Sequence, residues 1–379
     1  MKKSTYGLSQ NIGAKPIAAA ALSYLPPRPR RYHPKIGLVG CGGISACHLK
    51  NYREMGLDVA ALCDLNLERA QARAREFFPQ AAIVADYREL VCLEGLEVVD
   101  VATHPAERVP IIEAALKAGR HVLSQKPFAL DVTTGRRLAD LAAKQGVKLA
   151  VNQNGRWAPH WSYLRQLVQK GTLGTLRSLD FTVSWDHAWV KTTPFNSIHH
   201  LVLYDFAVHW FDIASVFMGG RKAKSVFATV TAGTAQPFDP PALAAVIADY
   251  GDAQARWSFN GANAFAQCDR TLICGSEGTA LSRGPTSSQQ TVTYTTARGT
   301  ASPQLEGSWF VNGFQGTMGE LLCAIEQKRE PFNSAQNNLT TLELAFAALA
   351  SAASGRPVAP GACRRLSGEV LRQCRPAIT

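Results

Sequence analysis

The sequence predicts a two-domain chain: a doubly wound parallel α/β sheet followed by an open, mostly antiparallel α+β domain. Three observations carry that expectation. From Lys35 a short apolar strand, a glycine turn and an amphipathic helix begin a strand–helix alternation that lasts to about residue 154. After Arg156 the alternation stops, and long segments of alternating apolar and polar residues take over. With 379 residues, 46% hydrophobic and 18% charged, the chain has a globular balance and the length for two cores.

The boundaries that follow are an extended basic, proline-rich arm at 1–34, the α/β domain at 35–154, the α+β domain at 155–360 and a tail at 361–379. The net charge is +11, and the arm holds Lys2, Lys3, Lys15, Arg28, Arg30 and Arg31 with no acid. In "LPPRPRRYHP" the charges are interleaved with prolines, which suits an extended strap along the protein or across a neighbouring subunit better than a grip on nucleic acid. No apolar run approaches the ~20 residues that span a bilayer, and "IAAAALSYL" lacks a cleavage pattern after it. Arg30 and Arg31 precede "YHPKI", which is no twin-arginine export signal. A cytoplasmic protein with no membrane or nucleic-acid partner is expected. Nine scattered cysteines without a C-x-x-C pair argue against both disulfides and a thiolate metal site.

The first strand, "KIGLVG", runs into "CGGIS", giving Gly40-x-Gly42-x-x-Ser45, and the next strand, "DVAALCD", ends on Asp64. This strand–turn–helix context with an acid about 20 residues on is the Rossmann dinucleotide fingerprint. Gly40, Gly42, Gly43, Ile44 and Ser45 are expected to bring backbone amides to a pyrophosphate at the helix N-terminus. Asp64 is expected to accept the adenosine ribose hydroxyls and to repel a 2′-phosphate, favouring NAD over NADP. Further strands at "AAIVA", "LEVVDVAT", "HVLSQ" and "VKLAVNQ" alternate with helices near 106–118 and 133–145. Ligands of such sheets lie beyond the carboxyl ends of the strands. Thr103, His104, Gln125, Lys126 and residues 152–156, with Asn154 and Arg156 among them, occupy those ends.

In the second half a helix near 159–169 is followed by expected strands at 177–186, 223–233, 243–250, 254–261 and 270–282, and by closing helices near 312–327 and 339–353. One further helix is unusual. In "VLYDFAVHWFD" Asp205, His209 and Asp212 recur at offsets of four and three, which at about 100° per residue places them on one stripe of an α-helix. An apolar stripe of Val202, Phe206, Trp210, Ile213 and Phe217 runs beside it. An acid and an imidazole so spaced could also ligate a metal with His199 or His200, but no further ligand has a recognised spacing, so no metal is expected.

With these segments in hand, the sequence resembles the glucose-fructose oxidoreductase, inositol dehydrogenase and MocA family over about 34–360. The carriers are "GLVGCGGIS" with Asp64, "GRHVLSQKPFALD", "NGRW", "GTLG", "DFAVH", "CGSEGTA" and "ASAASGRPV". The resemblance implies an N-terminal Rossmann domain and an open antiparallel sheet domain used for dimer or tetramer assembly. It further implies that Lys126 with Pro127 and Asp205 with His209 meet at the nicotinamide. His209 would take the hydroxyl proton as hydride leaves the adjacent carbon, Lys126 would stabilise the reacting oxygen, and Asp205 would orient substrate or imidazole. Asp212 would tie His209 or form a salt bridge. Two positions depart from the family's usual residues. Gln125 stands where Glu precedes Lys-Pro, which is expected to lower the lysine pKa and loosen its tie, and Arg108 stands where many relatives carry histidine.

The expected substrate is a small carbohydrate-like molecule. Five of the seven tryptophans, Trp157, Trp161, Trp185, Trp189 and Trp210, cluster around the expected cleft and suit either sugar faces or core packing. The connection "WDHAWVKTTPFNSIHH" adds His187, Lys191, His199 and His200 as hydroxyl-binding candidates, and Arg156 or Lys191 suits a carboxylate or sulfonate. The function expected is NAD-dependent oxidation or reduction at a secondary hydroxyl or lactol of a sugar, sugar derivative or cyclitol. The alternatives are an oxidoreductive glycosidase that recycles its hydride, and a non-catalytic NAD-binding sensor.

Overall fold

The computed structural model describes residues 15–373. Its first half alternates as the pattern demands: β1 (Lys35–Val39), α1 (Ser45–Met55), β2 (Asp58–Cys63), α2 (Leu67–Phe77), β3 (Ala82–Val84), α3 (Tyr87–Val91), β4 (Leu96–Val101), α4 (Pro105–Lys117), β5 (His121–Ser124), α5 (Val132–Lys144) and β6 (Leu149–Val151). The strands form a parallel sheet in the order β3-β2-β1-β4-β5-β6. The order reverses between β1 and β4, where a doubly wound sheet opens its crevice. Helices cover both faces, so the inner strands read as continuous apolar runs, with Leu38, Val98 and Val99 fully buried. Helix starts are set locally: Asn66, Asp86 and Asp131 each accept backbone N–H groups of the turn they precede.

A single 3-10 turn, Asn154–Trp157, passes into α6 (Pro159–Gln169), whose proline occupies the first turn where no amide is needed. There follow β7 (Leu176–Ser184), α7 (Val208–Phe217), β8 (Ser225–Thr231), β9 (Leu243–Asp249), β10 (Gln254–Asn260), β11 (Cys268–Gly275), β12 (Gly278–Thr286), β13 (Gln289–Thr296), β14 (Gly299–Ala301), α8 (Trp309–Glu326), α9 (Ala335–Ser354) and α10 (Gly368–Gln373). The eight strands are ordered β14-β13-β12-β11-β7-β10-β9-β8. Every pairing is antiparallel except that of β7 with β10. The segment expected as one strand over 270–282 is a hairpin: β11 reverses into β12 beside Leu173, whose carbonyl leaves no room for a side chain at Gly275. β13 and β14 then extend the sheet beyond the strands expected.

Helix α8 joins the two halves. Met318, Leu321 and Leu322 pack into the first domain's core with Ile36 and Leu38. On α8, glycines three apart admit close neighbours: a Cβ at Gly316 would lie 2.1 Å from the Trp157 side chain, and one at Gly319 2.1 Å from the Pro27 carbonyl. That second approach belongs to the arm. The Ile17 N–H donates to the Thr300 carbonyl at 2.9 Å, Tyr163 donates to the Ala20 carbonyl at 2.8 Å, and Ser162 donates to the Tyr24 carbonyl at 2.7 Å. The Glu326 carboxylate accepts the N–H groups of Arg31 and Tyr32 at 2.6 and 3.0 Å. The described part of the arm therefore straps its own chain, one of the two courses expected for it; residues 1–14 lie outside the described residues. The tail is also docked, with the Arg364 carbonyl accepting from the Val132 N–H. Among the described residues no helix is long and apolar enough to cross a membrane.

Candidate active site

At the end of β1 the chain turns at Gly40 with φ +100°, and a Cβ there would stand 2.9 Å from the Thr103 side chain, so only glycine lets the turn lie against the end of β4. Gly42 and Gly43 have nothing within 4 Å of where a side chain would be. Ile44 takes the N-cap position of α1 through its backbone. Ser45, fully buried, donates its hydroxyl to the Gly42 carbonyl at 2.6 Å and so braces the turn from within. Asp64 accepts from the Cys41 and Asn66 N–H groups, each at 2.8 Å, one on each oxygen. Each oxygen keeps further acceptor capacity. An open, amide-lined turn at a helix N-terminus with a carboxylate at the end of β2 fits a dinucleotide.

The ends of β4 and β5 come next. The Thr103 hydroxyl is buried without a protein partner, and His104 caps α4 by accepting from the Ala106 N–H at 3.4 Å. Gln125 faces inward to a buried network. The Asp100 carboxylate lies 2.6 Å from both His48 Nδ1 and the Tyr52 hydroxyl, and His48 Nε2 faces the amide nitrogens of Gln125 and Asn152 at 3.1 and 3.3 Å. Two amide donors on Nε2 make it the acceptor and put the imidazole proton on Nδ1, toward Asp100. The other end of Gln125, Oε1, accepts the Lys126 N–H at 2.7 Å. The Gln125 side chain therefore steadies the Lys126 backbone from inside the network.

The carboxylate that meets the Lys126 ammonium is Asp205, at 3.2 Å from Oδ1, and the ammonium also donates to the Asp205 carbonyl at 2.9 Å. The side chains are 15% and 17% exposed, so the pair is largely withdrawn from water and screened little by it. Asp205 does not lie on a regular α-helix as expected. Val202–Phe206 is a π-helical turn, closed by the Ala207 N–H on the Val202 carbonyl at 2.8 Å, and α7 begins only at Val208. Single widened turns of this kind recur at functional sites. His209 follows one turn later. Burial and then the Lys126 charge pull its pKa well below the usual 6.5, while its Nδ1 is buried without a protein partner. The imidazole is thus a neutral ring, packed edge-to-face on Trp309 with centroids 5.1 Å apart.

Several expected site residues lie elsewhere. Arg156, 1% exposed, grips both oxygens of Asp212 at 2.7 Å, so neither is a free charge and Asp212 does not tie His209. Thr341 completes that pair from α9, donating to Asp212 at 2.8 Å. Trp157 is buried against Phe332, and the Asn154 side-chain oxygen accepts from the Trp309 indole at 3.0 Å. His200 is buried with its ring on the Gln373 side chain. Trp185 and His187 remain near the helix: with Phe206 and Trp210 they line a cavity of about 20 Å³, and His187 stacks on Phe206 at 4.7 Å. Lys191 and His199 are exposed on the same connection. Sequence reasoning did not single out Trp309, which touches both His209 and Asn154, because its partners lie at least 100 positions away in the chain.

A glycine turn at the switch point, with Lys126, Asp205 and His209 gathered beside the ends of the same sheet, defines a Rossmann-type protein with an appended sheet domain. The chain belongs to the GFO/IDH/MocA oxidoreductase family: residues 34–153 match its oxidoreductase domain with NAD-binding Rossmann fold, and residues 161–281 match its C-terminal domain. It is 30% identical over 189 residues to D-apiose dehydrogenase of Paraburkholderia graminis, covering 49% of this chain and 50% of that one. It is 28% identical over 182 residues to inositol 2-dehydrogenase/D-chiro-inositol 3-dehydrogenase of Lactiplantibacillus plantarum, covering 47% and 51%. The matched segment spans about half the length of each relative. The fold is shared with an oxidoreductase of Agrobacterium radiobacter solved with NAD+, L-tartaric acid and magnesium, at TM-score 0.78 and 21% identity over 87% of this chain and 99% of that one.

Proposed function

We propose that this protein is an NAD-dependent oxidoreductase that moves hydride between the nicotinamide and a secondary hydroxyl or lactol of a sugar, sugar derivative or cyclitol. The observation that carries the reading is the Lys126 ammonium held by two oxygens of Asp205 beside a neutral, enclosed His209. Bound NAD supplies the hydride acceptor. Lys126 donates a hydrogen bond to the substrate oxygen and stabilises the negative charge that grows there as the C–H bond breaks. His209, neutral at working pH, accepts the hydroxyl proton. Asp205 keeps the ammonium in place and offers its carboxylate to a neighbouring hydroxyl.

NAD is preferred to NADP because a 2′-phosphate would meet the Asp64 carboxylate, whose oxygens are already fixed by two backbone N–H groups. A polyhydroxylated substrate is in keeping with two relatives that bear the names of an apiose and an inositol dehydrogenase. The test is a screen of sugars, sugar acids and cyclitols for NADH formation, with NAD and NADP compared on the best substrate. We expect NADH from at least one cyclitol or aldose, at a rate that His209→Ala and Lys126→Met each lower by ~100- to 10,000-fold. Turnover unchanged in both variants would contradict the assignment.

A further inference from the structure

Arg108 and Gln125, on different elements, meet at one carbonyl. Arg108 leaves the first turn of α4 and is 1% exposed. Its guanidinium donates to the backbone carbonyls of Gln125 and Pro127, the residues on either side of Lys126, and to the Thr103 carbonyl at 2.5 Å. No carboxylate forms an ion pair with it among the described residues. Burial draws its pKa down to about 10, against the pull of Tyr204, Asp205 and Asp100, so at neutral pH it is still a cation.

A buried cation costs several kcal/mol unless its donors are satisfied, and an apolar side chain would fill the same space without that cost. What a guanidinium adds is a planar fork whose donors tie several acceptors at once. Here the acceptors belong to the end of β4 and to the segment leaving β5. Lys126 is consequently fixed on three sides: its own N–H by Gln125 Oε1, and the carbonyls before and after it by Arg108. An imidazole is too short and has too few donors to span those three carbonyls.

We propose that Arg108 is a positioning residue for Lys126, clamping the backbone on both sides of the lysine to the end of β4 so that the ammonium is presented to Asp205 and the substrate oxygen at one place. The inference rests on the proposed role of Lys126, and its first readout needs no substrate. Hydrogen–deuterium exchange is measured on the intact apo protein for wild type, Arg108→Met and Arg108→Lys. The amides of Lys126 and Phe128 should exchange at least ~10-fold faster in Arg108→Met, with β1 and β2 unchanged and Arg108→Lys in between, as loss of charge-assisted bonds demands. On the substrate found by the screen, kcat should fall by ~10- to 100-fold in Arg108→Met while the Kd for NAD stays within about 3-fold, with part of kcat recovered in Arg108→Lys.

Unchanged exchange at Lys126 and Phe128 would overturn the clamp, whether or not the wild type oxidises any sugar. Loss of NAD affinity equal to the loss of kcat would overturn the positioning role and make Arg108 a support of the cofactor site. If Arg108→Met does not fold, Arg108→Lys and Arg108→Gln carry the same comparison. Faster exchange in an enzyme that forms no NADH would leave the clamp standing and count against the proposed reaction alone.

Discussion

Lys126 is held by two oxygens of a single residue, and the second of them, the Asp205 carbonyl, is presented by a π-helical turn. Asp205→Asn keeps the shape and the carbonyl but removes the charge from one bond, which is worth ~1.5–3 kcal/mol. We predict a fall of ~10- to 100-fold in kcat, read by steady-state NADH formation, with little change in thermal stability. His209 makes a second prediction. A base whose pKa is lowered stays neutral to lower pH, so the acid limb of oxidation lies below pH 6.5 and not at it. The second cause of the lowering is the Lys126 charge, and removing it should move the imidazole pKa upward. Titration of the His209 ring by NMR in wild type and Lys126→Met checks both statements; a pKa of 6.5 or above in the wild type would contradict them. At this scale the resemblance pointed to Lys126, Asp205 and His209, and the structure holds Lys126 on Asp205; the carbonyls that Arg108 holds are a backbone matter that no residue pattern reveals.

Elements explain the places where the reading of the site went astray. Arg156 follows a strand end, where a ligand-binding cation is expected, yet α7 and α9 bring Asp212 and Thr341 onto it and turn it into a structural pair. Those partners lie 56 residues away for Asp212 and further still for Thr341, beyond the reach of local spacing. Asp212 shares a face of α7 with His209, but the same packing commits its carboxylate to Arg156 and Thr341. The glycine turn and Asp64, by contrast, were legible because their constraints are local: a positive φ, a close backbone approach and a carboxylate at a strand end. Asp212→Ala leaves a buried, unpaired guanidinium, so it should destabilise the protein by ~3–5 kcal/mol in urea unfolding. Folded Asp212→Ala should keep a kcat within a few-fold of wild type. A stable variant with severely lowered kcat would instead return Arg156 and Asp212 to the active site.

The whole molecule is assembled so that the cleft has few degrees of freedom. α8 enters the core of the first domain, its glycines admit Trp157 and the arm, and Glu326 at its end gathers the arm's amides. The class of both domains was legible in the period of the apolar residues, while the hairpin of β11 and β12 and the course of the arm were not, since each depends on what a distant segment leaves room for. Deleting residues 1–27 removes several hydrogen bonds worth ~1 kcal/mol each, and should lower Tm by a few degrees with no change in the oligomeric mass measured by light scattering. Unchanged Tm with a smaller mass would mean that the arm serves a neighbouring subunit. The most direct measurement for the account as a whole is a crystal structure with NAD and a cyclitol or aldose bound. The phosphates should lie over Gly42 and Gly43, the ribose at Asp64, and a substrate hydroxyl within hydrogen-bond reach of both Lys126 Nζ and the His209 ring. A nicotinamide ordered away from Lys126, or a substrate whose hydroxyls meet neither residue, would contradict it.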